Sequence, residues 1–126
     1  MNTPPRSPSW SQKFAVAFAG IVHAWRTQSS MKVHFVSGIL VLGLAAISGF
    51  SPVEWAVLSL TIGLVIGLEL VNTSMEAIVD LVSPEYSELA KIAKDTSAAA
   101  VLVAAITALG VGGCLFVPRC GTWLGG

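Results

Sequence analysis

The sequence predicts an all-α integral membrane protein, with an N-terminal amphipathic helix lying in the membrane interface and three transmembrane helices after it. Three observations carry this reading. Of the 126 residues, 54% are hydrophobic and only 11% charged, with a strongly positive mean hydropathy; a soluble domain carries about 25% charge. Residues 35–53 and 96–118 are runs of nineteen and twenty-three residues without a charge, close to the roughly 20 that cross a bilayer. Before them, apolar residues recur at helical spacing.

Each element follows in order. Residues 1–9, "MNTPPRSPS", are rich in Pro and Ser and read as an irregular tail. From Trp10 onward, Phe14, Phe18, Ile21 and Trp25 recur at steps of four, four, three and four, which at about 100° per residue makes one narrow stripe. Gln12, Lys13 and Arg26 fall off it, so residues 10–30 are expected as an interfacial helix. The first span is expected over 33–50. "SPVE" at 51–54 then supplies a helix start, with Ser51 as N-cap, Pro52 in the first helical position and Glu54 completing a capping box. The helix it opens, 52–82, meets no proline before Pro84. At about 1.5 Å per residue it outruns a hydrocarbon core of about 30 Å, so its end must project towards water. "SPEYSELAKIAKD" is polar and is expected as a short surface helix or a bent connection. The third span is expected over 96–117, and "RCGTWLGG" is a short tail. The whole chain, 1–126, reads as one domain.

The formal net charge is zero, which leaves no basic surplus for a phosphate backbone and excludes a nucleic-acid binder. Cys114 and Cys120 have no His or further Cys at ligand spacing, which excludes a zinc site. Lys13, His23, Arg26 and Lys32 interrupt the N-terminal region, so no cleaved signal peptide is expected. Arg6, Lys13, Arg26 and Lys32 precede the first span, and Lys91 and Lys94 lie between the second and third. The positive-inside rule therefore puts the N-terminus and the segment between spans two and three in the cytoplasm, across a bacterial-type inner membrane.

Six of the seven acids lie between Glu69 and Asp95. Glu69, Asn72, Thr73, Glu76 and Asp80 stand at helical offsets 0, 3, 4, 7 and 11, all within about 60° of Glu69. Carboxylates at bilayer depth cost at least a few kcal/mol each and mark functional sites by default. Carboxylates reach a negative substrate only through a cation, and a few oxygen ligands completed by water and phosphates are how proteins hold Mg²⁺ with ATP. On this reading Glu69 is a base for a lipid hydroxyl attacking the γ-phosphate, Glu76 a metal ligand and Lys94 a cation for the phosphates. There is no Gly-rich phosphate loop and no conventional kinase motif set.

These residues resemble a known family. "ELVNTSMEAIVDLVSPEYSELAKIAKDTSAAAVLV", Glu69 to Val103, is similar to the signature of the prokaryotic diacylglycerol kinases, small three-span lipid kinases, and "FAVAFAGIVHAWRT" extends the likeness to the interfacial helix. "HFVSGILVLGL", "SPVEWAVL" and "DLVSPEYSELAKIAKD" look more like the undecaprenol kinase branch than the diacylglycerol branch. The resemblance implies ATP and Mg²⁺ dependence, a lipid alcohol acceptor (undecaprenol or diacylglycerol) and a homotrimer with active sites between subunits. It implies Glu69 as catalytic base, Glu76 and position 28 as metal ligands, and ATP contacts from Gln28, Glu76, Glu85, Tyr86, Ser87, Lys94 and Asp95. Asn72 and Asp80 match supporting positions of the same polar site. Two departures stand out: the family's usual "RTE" is "RTQ" here, with Gln28 as an uncharged ligand, so that metal affinity falls or Asp80 or Asp95 compensates, and the family's common His is Ser87.

Two other classes compete. An acidic stripe inside an oligomeric bundle also suits an ion or proton pathway, although "SAAAVLVAAITALGVGG" offers small residues for packing and no polar lining. Gln28 also motivates a non-catalytic membrane scaffold, which predicts no turnover at high Mg²⁺.

Overall fold

The computed structural model describes residues 7–125, and among these every regular element is a helix: α1 (Trp10–Thr27), α2 (Ser29–Ile47), α3 (Pro52–Val82) and α4 (Glu88–Leu124). The last three are long and apolar enough to cross a membrane. Of the expected tail, 1–9, residues 1–6 lie outside the described residues, and residues 7–9 have no regular structure.

Local chemistry sets the helix ends. Ser9 caps α1 and Ser51 caps α3, each through a full capping box with Gln12 and Glu54 respectively, and Pro52 occupies the first turn of α3. These contacts satisfy backbone N–H groups that a helix start leaves without partners. α1 ends earlier than the sequence pattern implies. Gln28 has extended backbone (φ −108°, ψ 118°) and is the single residue between α1 and α2, so Ser29 to Met31 already belong to the first span. Between α2 and α3 the chain turns at Gly49, whose φ of +66° is a region that a side chain disfavours.

The segment from Ser83 to Asp95 resolves into two parts. Residues 83–87 form a short non-helical connection, and Ser87 then caps α4 by accepting from the Ala90 N–H. From Glu88 the helix runs without a break through the polar turns into the apolar span. It also runs past Pro118, where the sequence reading ended the span. Arg119 explains how the chain continues. Its guanidinium donates to the Leu115 carbonyl (2.6 Å) and the Ser48 carbonyl (3.1 Å), and pairs with Glu54 at 2.7 Å. This ties the turns beyond the proline to the α2–α3 connection.

α2, α3 and α4 alternate in direction. Gln28 and Lys94, at the starts of α2 and α4, meet Glu76 and Asp80 near the end of α3, while Arg119 near the end of α4 meets the end of α2 and the start of α3. α3 is the central element, packed against each of the other three. Gly38 lets α2 and α3 approach closely, since a Cβ there would stand 3.2 Å from Ile62 Cγ2. All the polar residues of interest gather at one end of this bundle.

Candidate functional site

The polar face of α3 turns inward. Glu69 is 1% exposed, Asn72 6% and Thr73 8%, the buried polar side chains of a small core. A buried carboxylate needs partners to offset lost hydration, and α2 provides them. Ser30 Oγ donates to Glu69 Oε1, and His34 Nε2 lies 3.9 Å from Oε2. Thr73 spends its hydroxyl on the Glu69 carbonyl at 2.9 Å, a bond within the helix.

Two turns along α3, Glu76 sits between two amides. Gln28 Nε2 donates to its Oε2 at 2.7 Å and Asn72 Nδ2 to its Oε1 at 3.3 Å. Both amides thus turn nitrogen towards the carboxylate. Asn72 Oδ1 is buried with no hydrogen-bond partner, and a buried acceptor is rarely left that way. Rotation of either amide about its last side-chain bond would turn its oxygen, a hard ligand, towards a cation held by Glu76 and would give Asn72 Oδ1 a partner. Three protein oxygens completed by water and phosphate suit Mg²⁺, which keeps several waters when it binds.

One further turn on, Asp80 pairs with Lys94 at 2.5 Å, and within α4 Lys91 pairs with Asp95 at 2.6 Å. Asp80, Glu85, Tyr86, Ser87, Lys91, Lys94 and Asp95 all line one cavity of about 300 Å³ at the α3–α4 connection. Tyr86 donates to Glu88 at 2.6 Å, and this bond to the Glu88 carboxylate pushes the phenol above its ordinary range. Below Glu69, a larger apolar cavity of about 520 Å³ runs between α2, α3 and α4, with His34, Val65 and Ile66 among its lining and Phe116 towards the opposite end.

Comparison with known proteins now decides the family. Residues 15–116 match the family described as prokaryotic diacylglycerol kinase. The chain belongs to that family. A diacylglycerol kinase of Synechocystis sp. is 46% identical over 113 residues, covering 89% of this chain and 65% of the relative. An undecaprenol kinase of Bacillus subtilis is 35% identical over 86% of this chain and 88% of its own length, and a diacylglycerol kinase of Escherichia coli is 31% identical over 74% and 76%. The chain thus spans somewhat less than two thirds of the Synechocystis relative's length. The family and these relatives are lipid kinases.

In this family member the expected site residues fall into two neighbouring groups. Gln28, Asn72 and Glu76 form one hydrogen-bonded cluster with Glu69 two turns away on the same face. Asp80, Glu85, Tyr86, Ser87, Lys94 and Asp95 form the other, around the connection. From Glu69 to Asp80 the row extends about 16 Å at about 1.5 Å per residue. Sequence reasoning passed over Ser30 and His34, the partners of Glu69, and the pairing of Lys91 with Asp95. The signal for the first two was present: Ser30 and His34 are four residues apart, on one face of a helix, at the start of an otherwise apolar span.

Proposed function

We propose that this chain is an integral membrane lipid kinase that transfers the γ-phosphate of ATP to a lipid hydroxyl. The observation that carries the reading is Glu69, a carboxylate 1% exposed on a transmembrane helix and continuous along one face with Glu76 and Asp80. Family membership supports the same chemistry.

In this scheme the nucleotide lies along the row. Glu76, Gln28 and Asn72 hold Mg²⁺, which when bound neutralises phosphate charge. Lys94 and Asp95, with the turn Glu85 to Ser87, hold the rest of the nucleotide. The Lys94–Asp80 and Lys91–Asp95 pairs are largely exposed, with 41% to 66% of each side chain accessible. Exposed pairs contribute only about 0–1 kcal/mol, so either lysine is readily released to a phosphate. Glu69 takes the proton of the attacking hydroxyl, and the apolar cavity one turn below it accommodates the lipid chain beside the base.

The acceptor is a lipid alcohol. Likeness to the undecaprenol branch in three segments favours undecaprenol, and the 46% identity to a diacylglycerol kinase favours diacylglycerol. Both have a hydroxyl on an apolar body, and apolar contacts discriminate weakly, so one assay must offer both. The protein works as a homotrimer in the inner membrane with its N-terminus in the cytoplasm.

The deciding experiment is phosphorylation of undecaprenol and diacylglycerol by the purified protein, beside Glu69→Gln. The wild type turns over one or both lipids, while Glu69→Gln loses at least about a hundredfold in kcat and keeps its ATP affinity. Turnover by Glu69→Gln near the wild-type rate removes Glu69 as the base. Ion flux in vesicles without lipid phosphorylation would support a pore instead.

A further inference from the structure

A buried carboxylate has two oxygens, and a base that must take one proton at one place works best when they are not equivalent. In this chain they are not. Oε1 of Glu69 accepts the Ser30 hydroxyl, while Oε2 has no donor in direct reach and faces His34 Nε2 across 3.9 Å. A serine hydroxyl has one proton to give. That proton goes to Oε1 and leaves Oε2 as the oxygen free to accept. Ser30 and His34 both come from the first turns of α2, four residues apart and on the same face. Neither has another side-chain hydrogen-bond partner among the described residues.

We propose that Ser30 and His34 are positioning residues for Glu69: together they clamp the carboxylate so that Oε2 alone receives the acceptor's proton. The inference rests on the kinase reading above. In the step it serves, the lipid O–H bond breaks and its proton passes to Oε2. The oxygen's electron pair forms the new bond to the γ-phosphorus, and the bond from that phosphorus to the bridging oxygen breaks with its pair leaving on ADP. Ser30 prevents the carboxylate from turning. A direct N–H···O bond is about 2.9 Å, so His34 at 3.9 Å stops short of occupying Oε2 and leaves it open to a hydroxyl, while the ring limits the directions the carboxylate can take.

The clamp predicts a split that ordinary structural damage does not produce. The purified full chain is assayed with undecaprenol and diacylglycerol as Ser30→Ala, Ser30→Thr, His34→Leu and His34→Gln. Losing a hydrogen bond to a charged group corresponds to about a tenfold to hundredfold loss of rate. Ser30→Ala is expected to lose that much kcat, and His34→Leu, which removes a contact at 3.9 Å and no hydrogen bond, a smaller part of it, both with KM for ATP and the unfolding temperature unchanged. Ser30→Thr restores the hydroxyl and His34→Gln restores an N–H donor, and both are expected to recover most of the rate. The clamp is overturned if Ser30→Ala and His34→Leu keep the wild-type kcat, if their losses track a lower unfolding temperature, or if neither conservative variant recovers activity. A wild-type protein that phosphorylates no lipid overturns the kinase reading itself, and the clamp with it. Active wild type with indifferent Ser30 and His34 variants overturns the clamp alone.

Discussion

Gln28 shows how one residue can set the state of a whole site. Its amide donates to Glu76 at 2.7 Å, where a glutamate would put a second carboxylate against the first. Without a divalent ion, Gln28→Glu therefore adds like-charge repulsion and is expected to lower stability by about 1 kcal/mol. With the ion, the second charge is an advantage, because affinity rises with ligand charge. The expected result is about tenfold tighter Mn²⁺ binding, read by electron paramagnetic resonance, together with a larger rise in unfolding temperature on adding Mg²⁺. Unchanged Mn²⁺ affinity would remove residue 28 from the metal site. At this scale the acids were readable in advance, because a carboxylate inside apolar sequence is costly and is kept there for what it does. Ser30 and His34 were readable as a polar pair on one helix face, but not as the partners of Glu69. They lie 39 and 35 residues from Glu69 in the chain, and only the packing of α2 on α3 reveals the partnership.

Arg119 plays the corresponding part between elements. It joins the end of α2 and the start of α3 to the far end of α4 through Ser48 and Glu54, bonds the Leu115 carbonyl within α4, and sets its guanidinium 4.5 Å from the centre of the Phe50 ring. Phe50 in turn packs on Trp55 and Phe116. Arg119→Ala is expected to destabilise the protein by about 1–2 kcal/mol, since it strips a partner from Glu54 and from an aromatic cluster. Arg119→Lys is expected to recover less than half of that, because an ammonium cannot reproduce a planar fork that serves three acceptors. Denaturant unfolding in detergent measures both; full recovery by lysine would mean that charge alone matters here. The helix start at Ser51 was legible because capping residues act within four positions of themselves, whereas Ser9, the cap of α1, was read as part of the tail. The break at Gln28 and the passage of α4 through Pro118 were not, because each depends on a contact with a distant element: Gln28 with Glu76, and Arg119 with Ser48 and Glu54.

The whole molecule is mostly surface. Its buried hydrophobic core among the described residues is short, from Ala24 and Met31 to Val101 and Ala104, while large side chains such as Leu60, Leu81, Leu102 and Leu109 are more than half exposed. Lipid tails can cover such a surface, but they cannot cover the polar row. Asp80 and Lys94 keep 66% and 41% of their side chains accessible, and a phosphate transfer beside them has to be shielded from water. A neighbouring copy of the chain supplies that cover in the homotrimer proposed here, and with it a share of the site. Two variants that fail for different reasons test this. Glu69→Gln removes the proposed base and Lys94→Ala the proposed phosphate cation, so neither alone should turn over at more than about a hundredth of the wild-type rate. If each site draws Glu69 from one subunit and Lys94 from the next, every mixed trimer keeps one site of three with both residues intact, and mixed oligomers should show about a third of the activity. The measurement is lipid phosphorylation by mixed oligomers purified through tags on both variants. Mixed oligomers with no recovered activity would mean that each chain completes its own site, as the Asp80–Lys94 pair within one chain permits, and that neighbours serve only as walls.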